Sequence, residues 1–428
     1  MRHVTHTIRL TAIVAIAAGV IAALPGAASA AAPATAPASA SLLPRTVTLD
    51  STQLLLTKVR YHLGDPAITT PMRTLLSEAD EALTAGPWSI AAKTELPPSG
   101  DPHDYLSEAP YWWPTQPKTA DNPWGCPYIQ RDGVRNPAVD DITDHAVRGS
   151  AFDAIYRLSL AWYYTGNRAY AERARLDLRT WFLDAATRMN PNMNYTQFIP
   201  CVVDGRGTGI IEFSEALPDV IDAVAILDSG APSWTSADHA GMTSWFTQFL
   251  QWLQTSKNGT DEAATTNNHG SFFDEQEAAL ALYTGQRDLA RTIVRTAETT
   301  HLDVQIAADG TQPLELVRTR SWHYSMFNLM ALTRLAQIGK HVGVDVWHYR
   351  NVNGATLFDA IDYLIPAATQ GQSAWPYPEL TFQSYYASDA LHAAAYAGDH
   401  AAAKALRLTP APPGGDIWAV RPAAEDLG

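Results

Sequence analysis

The chain is short of charge. Of its 428 residues only 17% are Asp, Glu, Lys or Arg, and the basic ones are outnumbered, 30 against 44 acidic. The formal net charge of −14 argues against nucleic acid as a bulk partner, because phosphates need a basic face. It leaves room for an anionic substrate, since a site needs only local Arg and His. Cysteine is nearly missing, with Cys126 and Cys201 alone. The longest apolar run, Leu10 to Leu24, is too short and too Ala-rich for a membrane span, and no other segment resembles one. No convincing run of alternating strand residues occurs. Neither a GxSxG elbow nor an HExxH pair is present, and no GxxxxGK[ST] loop either. These absences leave a large helical protein without the signature of a serine hydrolase, a zinc protease or a nucleotide-phosphate loop.

What is present begins with a leader. Arg2 and Arg9 precede the apolar run, and Ala28-Ser29-Ala30 follows it, the pattern of a secretory signal cleaved after Ala30. Losing residues 1–30 removes those two arginines and takes the net charge to about −16. Export makes a Cys126–Cys201 disulfide the natural expectation, with two buried thiols as the alternative. Residues 31–44 are an Ala/Pro/Ser linker. Residues 45–428 are expected to form one catalytic domain, acting as a secreted monomer with no membrane attachment after cleavage.

Apolar residues then recur at helical spacing. Leu54, Leu55, Val59 and Leu63 form one stripe, and Met72, Leu75, Leu76, Ala79 and Leu83 another. A unit of helix, glycine turn and second helix follows three times. It covers Asp144–Tyr164 with Ala169–Ala185, Phe272–Tyr283 with Asp288–Thr299, and Ser384–Ala397 with Ala401–Leu406. Two looser units are Ser214–Leu227 with Ser236–Thr255, and Tyr324–Ile338 with Gly354–Ile365. Helical hairpins repeated five or six times stack as a solenoid or close on themselves. Their unequal lengths and long polar loops favour closure, so the expected fold is an all-α, α/α toroid with a cleft at one end.

The polar loops carry the chemistry. Asn267-Asn268-His269-Gly270 stands before an apolar helix, and Ser271-x-x-Asp274 resembles a capping box, which predicts a helix start near Ser271. The partial positive charge of a helix N-terminus disfavours imidazolium and so favours a neutral His269 beside an amide donor. A capped turn with a structural histidine is the plainer alternative. Between Glu315 and Tyr324 the chain places Arg318, Arg320 and His323. The stretch Asn190–Gln197, with Asn194 and Gln197, leads into Gly205-Arg206-Gly207-Thr208-Gly209. A Pro- and aromatic-rich loop from Pro97 to Pro137 holds Pro110-Tyr111-Trp112-Trp113-Pro114, whose rings suit either a carbohydrate groove or a hydrophobic plug.

An amide, an imidazole, a guanidinium and a phenol facing one cleft suit β-elimination on a uronic acid polymer. The C5 proton becomes removable once the adjacent carboxylate is neutralised, here by Asn268 and Arg318. His269 or Tyr324 abstracts it, and Tyr324 protonates the departing O4, with no metal or other cofactor required.

These segments also resemble a known group. Asn-Asn-His before a helix, with a later Arg…Tyr segment before the next apolar helix, resembles the alginate lyase superfamily. The Tyr-Trp-Trp-Pro, Asn-Pro-Asn-Met-Asn-Tyr and Gly-Arg-Gly-Thr-Gly segments look like polysaccharide lyase family 38 and, more distantly, family 5. The resemblance spans Pro97 to Ala336. It implies that Asn268 neutralises the uronate, that His269 and Tyr324 are base and acid, and that Arg318, or alternatively Arg320, supports the site. Trp112, Trp113, Asn194, Gln197, Arg206, Arg320 and His323 are then expected to bind an anionic polysaccharide. The rivals are an inverting hydrolase using two of Glu212, Asp274, Glu275 and Glu315, and a non-catalytic glycan binder. A metal at Asp140, Asp141, Asp144 and His145 is a weaker reading than a solvated acidic helix start.

Overall fold

Five helices pack each against the next to form an inner ring: Asp144–Thr165, Leu217–Asp228, Asn268–Tyr283, Ser321–Val342 and Ser388–Ala397. The computed structural model describes residues 43–421; the expected leader and most of the Ala/Pro/Ser segment lie outside them. An inner helix has neighbours on every side and is apolar nearly all round. In Ser321–Val342 every residue from Ser321 to Leu329 is buried. An outer helix needs one apolar stripe only. Arg287–Ala297 buries Ala290, Ile293, Val294 and Ala297, one face of a 3.6-residue repeat, and shows water the rest. Pro66–Ala82, Arg168–Leu178, Ser236–Thr255 and His400–Ala405 complete the outer layer. Gly166 and Gly398 end their inner helices in the left-handed conformation, with φ of 73° and 111°, which lets the chain reverse into the outer partner. This is an all-α, toroid-like architecture of helical hairpins.

The ring is completed by the two ends of the described chain. Helix Ser51–His62 packs on Asp144–Thr165. The Thr57 hydroxyl donates to the Ala419 carbonyl at 2.9 Å, and Tyr164 donates to the Val420 carbonyl at 2.9 Å. His392 stacks on Trp418 with ring planes 5° apart and meets Asp416 at 2.9 Å.

Buried Asp222 anchors the entering chain. Its carboxylate accepts the Leu49 amide at 2.7 Å, the Thr48 hydroxyl at 2.6 Å and the Val47 amide. An alanine here strands at least two buried amides, so Asp222→Ala should cost about 2–4 kcal/mol. A lowered denaturant midpoint at unchanged slope is the expected signature, and an unshifted midpoint would refute the anchor.

Element boundaries depart from the sequence reading at several ends. The helix expected from Ser271 begins at Asn268, capped by the Asn267 side chain, while the Ser271 hydroxyl donates to Gln305 at 3.1 Å. The helix read as Ala169–Ala185 is Arg168–Leu178 followed by one wider turn. Four short strands were missed. Leu106–Glu108 pairs in parallel with Tyr195–Phe198, and Trp112–Pro114 pairs antiparallel with Tyr128–Gln130, Trp112 opposite Gln130. They stiffen the loop over one end of the toroid. A Cys126–Cys201 disulfide ties that hairpin to the chain just after Phe198. Asp144 is no solvated helix start: it is buried and paired with Lys93 and the Leu106 amide. No helix among the described residues is long and apolar enough to cross a membrane.

Candidate active site

At that end of the toroid lies a cavity of about 560 Å³, lined by the aromatic loop and by the entrances of three inner helices. Asn268, His269, Arg318 and Tyr324 all line it, as do Trp112, Gln197, Arg206, Arg320 and His323. Two hairpin units therefore deliver their polar N-terminal ends to one place, as the sequence reading required.

Gly270 makes the first end possible. A Cβ there would lie 2.1 Å from the Thr265 carbonyl and 2.9 Å from the His301 ring, so only glycine lets the helix start sit down on the preceding turn. Gly270→Ala is expected to displace Asn268 and His269 together and to cut turnover at least tenfold. Steady-state kinetics beside a melting curve would separate that from simple unfolding; an active, stable variant would contradict it.

Asn268 is fully buried and clamped. Its backbone and side-chain amides donate to the two oxygens of Glu315 at 2.8 and 2.7 Å. Burial pushes the Glu315 carboxyl up, against the pull of those two donors. His269 is placed by a different carboxylate. Its Nδ1 lies 2.7 Å from Glu262, which is 1% exposed.

The second end carries Tyr324. Burial, reinforced by Tyr111, pushes its phenol well above the ordinary tyrosine range. The two hydroxyls are 2.8 Å apart. The Arg318 guanidinium lies over the Tyr324 ring, 3.8 Å from its centroid. Arg318 Nη2 and Nε donate to Asp132 at 2.6 and 3.1 Å. Burial would raise Asp132, but Arg318 and Thr319 hold it below its ordinary value.

The flanking residues divide. Arg206 Nη2 donates to the Gln197 side-chain Oε1 at 2.7 Å, and Gln197 itself is held at φ 44°, a strained conformation for a non-glycine residue. His323 is buried, and burial together with Arg320 and Arg318 drives its imidazole well below the ordinary histidine range. Trp113 and Asn194 do not line the cavity. Trp113 donates to the Val134 carbonyl and carries Arg131 across its ring, whereas Asn194 accepts from Trp252 at 3.0 Å. The hydrolase carboxylates are engaged or remote. Glu212 accepts from Tyr105, Glu315 holds Asn268, Asp274 meets His301, and Glu275 is sealed in the core.

Sequence reasoning passed over Glu262, Tyr111 and Asp132. Tyr111 and Asp132 stand inside segments it had singled out, but the neighbouring tryptophans and glycine drew the attention. Glu262 sits on a short helix, Lys257–Ala263, with no pattern of its own.

Comparison with known proteins follows the same line. A family model described as alginate lyase matches residues 89–375. An alginate lyase from Bacteroides ovatus superposes with a TM-score of 0.82 at 34% identity, over 89% of this chain and 100% of that one. Alginate lyase A1-III from Sphingomonas species A1 superposes at 0.52 with 16% identity, over 83% and 94% of the two chains, a likeness of fold. A histidine-to-alanine form of A1-III complexed with a tetrasaccharide gives 0.52 and 16%, over 82% and 94%. No curated sequence matches.

Proposed function

The chain belongs to the alginate lyase family and is a polysaccharide lyase, and from that premise we propose that it cleaves uronate-containing polysaccharide by β-elimination at this cavity. The observation that carries the reading is the meeting of Asn268 and His269 from one hairpin with Arg318 and Tyr324 from the next around one cavity.

The roles follow from what each group has left to offer. Asn268 keeps one amide hydrogen after Glu315 takes the other, and Arg318 keeps Nη1 after Asp132 takes Nε and Nη2. Both donors suit the uronate carboxylate, whose neutralisation stabilises the carbanion-like state at C5. A phenol pushed upward by burial stays protonated, which makes Tyr324 the acid for the departing O4. His269 is then the base at C5. The C5–H pair of electrons forms the C4–C5 double bond as C4–O4 breaks, and O4 takes the Tyr324 proton. Trp112, Gln197, Arg206, Arg320 and His323 flank the bound chain. Mannuronate- or glucuronate-containing polymers are the proposed substrates, and the protein works after export as a single catalytic domain.

The test is ultraviolet absorbance on a panel of polyuronates, alginate blocks and glucuronan among them, with chelator present. Rising absorbance from the new double bond is expected, and the polymer that responds names the substrate. New reducing ends without that absorbance would transfer the case to a hydrolase.

A further inference from the structure

We infer that Glu262 is a positioning residue for His269 that sets the tautomer of its ring, an inference that rests on His269 serving as the base. A neutral imidazole has one N–H and one lone pair, and only the lone pair can take a proton from carbon. Either nitrogen can carry the hydrogen in water. Here Nδ1 lies 2.7 Å from a carboxylate oxygen, and a carboxylate accepts hydrogen bonds and offers none. The hydrogen is therefore placed on Nδ1 and the lone pair on Nε2, the nitrogen left to the cavity.

The geometry permits little else. Glu262 is 1% exposed, so its carboxylate cannot turn away to water. The helix that bears it is capped by Ser256, whose hydroxyl accepts the Gly259 amide at 2.9 Å. Asn258 on the same helix donates to the Met193 carbonyl at 3.2 Å. On the other side, the backbone amide of His269 donates to the Asn267 side chain at 3.3 Å. Donor and acceptor are thus both held in place, and Glu262 acts on the proton transfer through His269.

The experiment pairs kinetics with nitrogen NMR of histidine-labelled protein, comparing wild type, E262Q, E262A and H269A. The H269A spectrum identifies the His269 signals. In wild type the nitrogen shifts should report a single Nδ1–H form. In E262Q, whose amide can also donate, and in E262A, the population should move toward Nε2–H. Turnover should fall at least about tenfold in both with KM little changed, since the base is misprotonated rather than the substrate unbound. An Nε2–H ring in wild type, or an unaltered tautomer in both variants, would overturn the inference. So would full turnover in either variant. Failure of the underlying reading looks different: H269A would remain active whatever the tautomer of the wild-type ring.

Discussion

Tyr324→Phe should lower kcat by about 10²–10⁴-fold, and His269→Ala by a similar factor, with folded structure retained in both. The phenylalanine keeps the ring beneath Arg318, 3.8 Å from the guanidinium, so packing and the cation–π contact survive. What disappears is the one proton that the departing O4 would receive. Without it the leaving group departs as an alkoxide, at a free-energy cost set by its basicity. His269→Ala removes the proposed acceptor for the C5 proton and leaves Asn268 clamped by Glu315. KM should move little in either case, because the carboxylate contacts proposed for Asn268 and Arg318 remain. Continuous absorbance assays of the purified variants, with circular dichroism as the fold control, read both. Wild-type turnover in the two variants together would sink the assignment.

The second large effect concerns stability. Replacing Cys126 and Cys201 by serine, or reducing them, opens a loop whose ends are 75 residues apart. The chain-entropy model then predicts a loss of about 4 kcal/mol, and for a domain of this size a melting temperature lower by roughly 5 °C. Activity should suffer before global unfolding does. The disulfide pins the hairpin of Trp112–Pro114 and Tyr128–Gln130, and Tyr111 and Asp132 stand at the ends of those strands. Tyr111 supports Tyr324, and Asp132 holds Arg318. A reduced enzyme should therefore show lower kcat/KM at temperatures where its helices are intact. Identical melting curves with and without reductant would contradict the prediction.

How much of this was legible beforehand depends on the range of the interactions. The ring of hairpins was, because a 3.6-residue stripe and a glycine turn are local and repeat. The position of Asn268 and His269 at a helix start facing the cavity was, because polar residues before an apolar helix are conspicuous. The helix boundary itself was not. Thr266, Asn267, Asn268 and Ser271 are all competent caps, and the choice of Asn267 is settled when distant Gln305 takes the Ser271 hydroxyl. Strands of three residues are too short to show alternation. The partners of the site, Glu315 across 47 residues and Asp132 across 186 from Arg318, are matters of tertiary arrangement alone. Trp113 shows the limit of composition. Aromatic density left a carbohydrate groove and a hydrophobic plug both open, and one ring of the pair is covered by Arg131 and tied to Val134.

The way the ring is shut bears on how the molecule is made. Ala419 and Val420 leave the ribosome long after the residues they meet, 362 positions after Thr57 and 256 after Tyr164. Hairpins can assemble in turn as they appear, each on the one before, but the seam stays open until the segment with Ala419 and Val420 arrives. A chain arrested before that segment would leave Thr57 and Tyr164 without the carbonyls they donate to. Closure of the seam would thus be a checkpoint of its own in assembly, and loss of the segment from Ile417 to Arg421 should leave the ring open and the chain open to degradation.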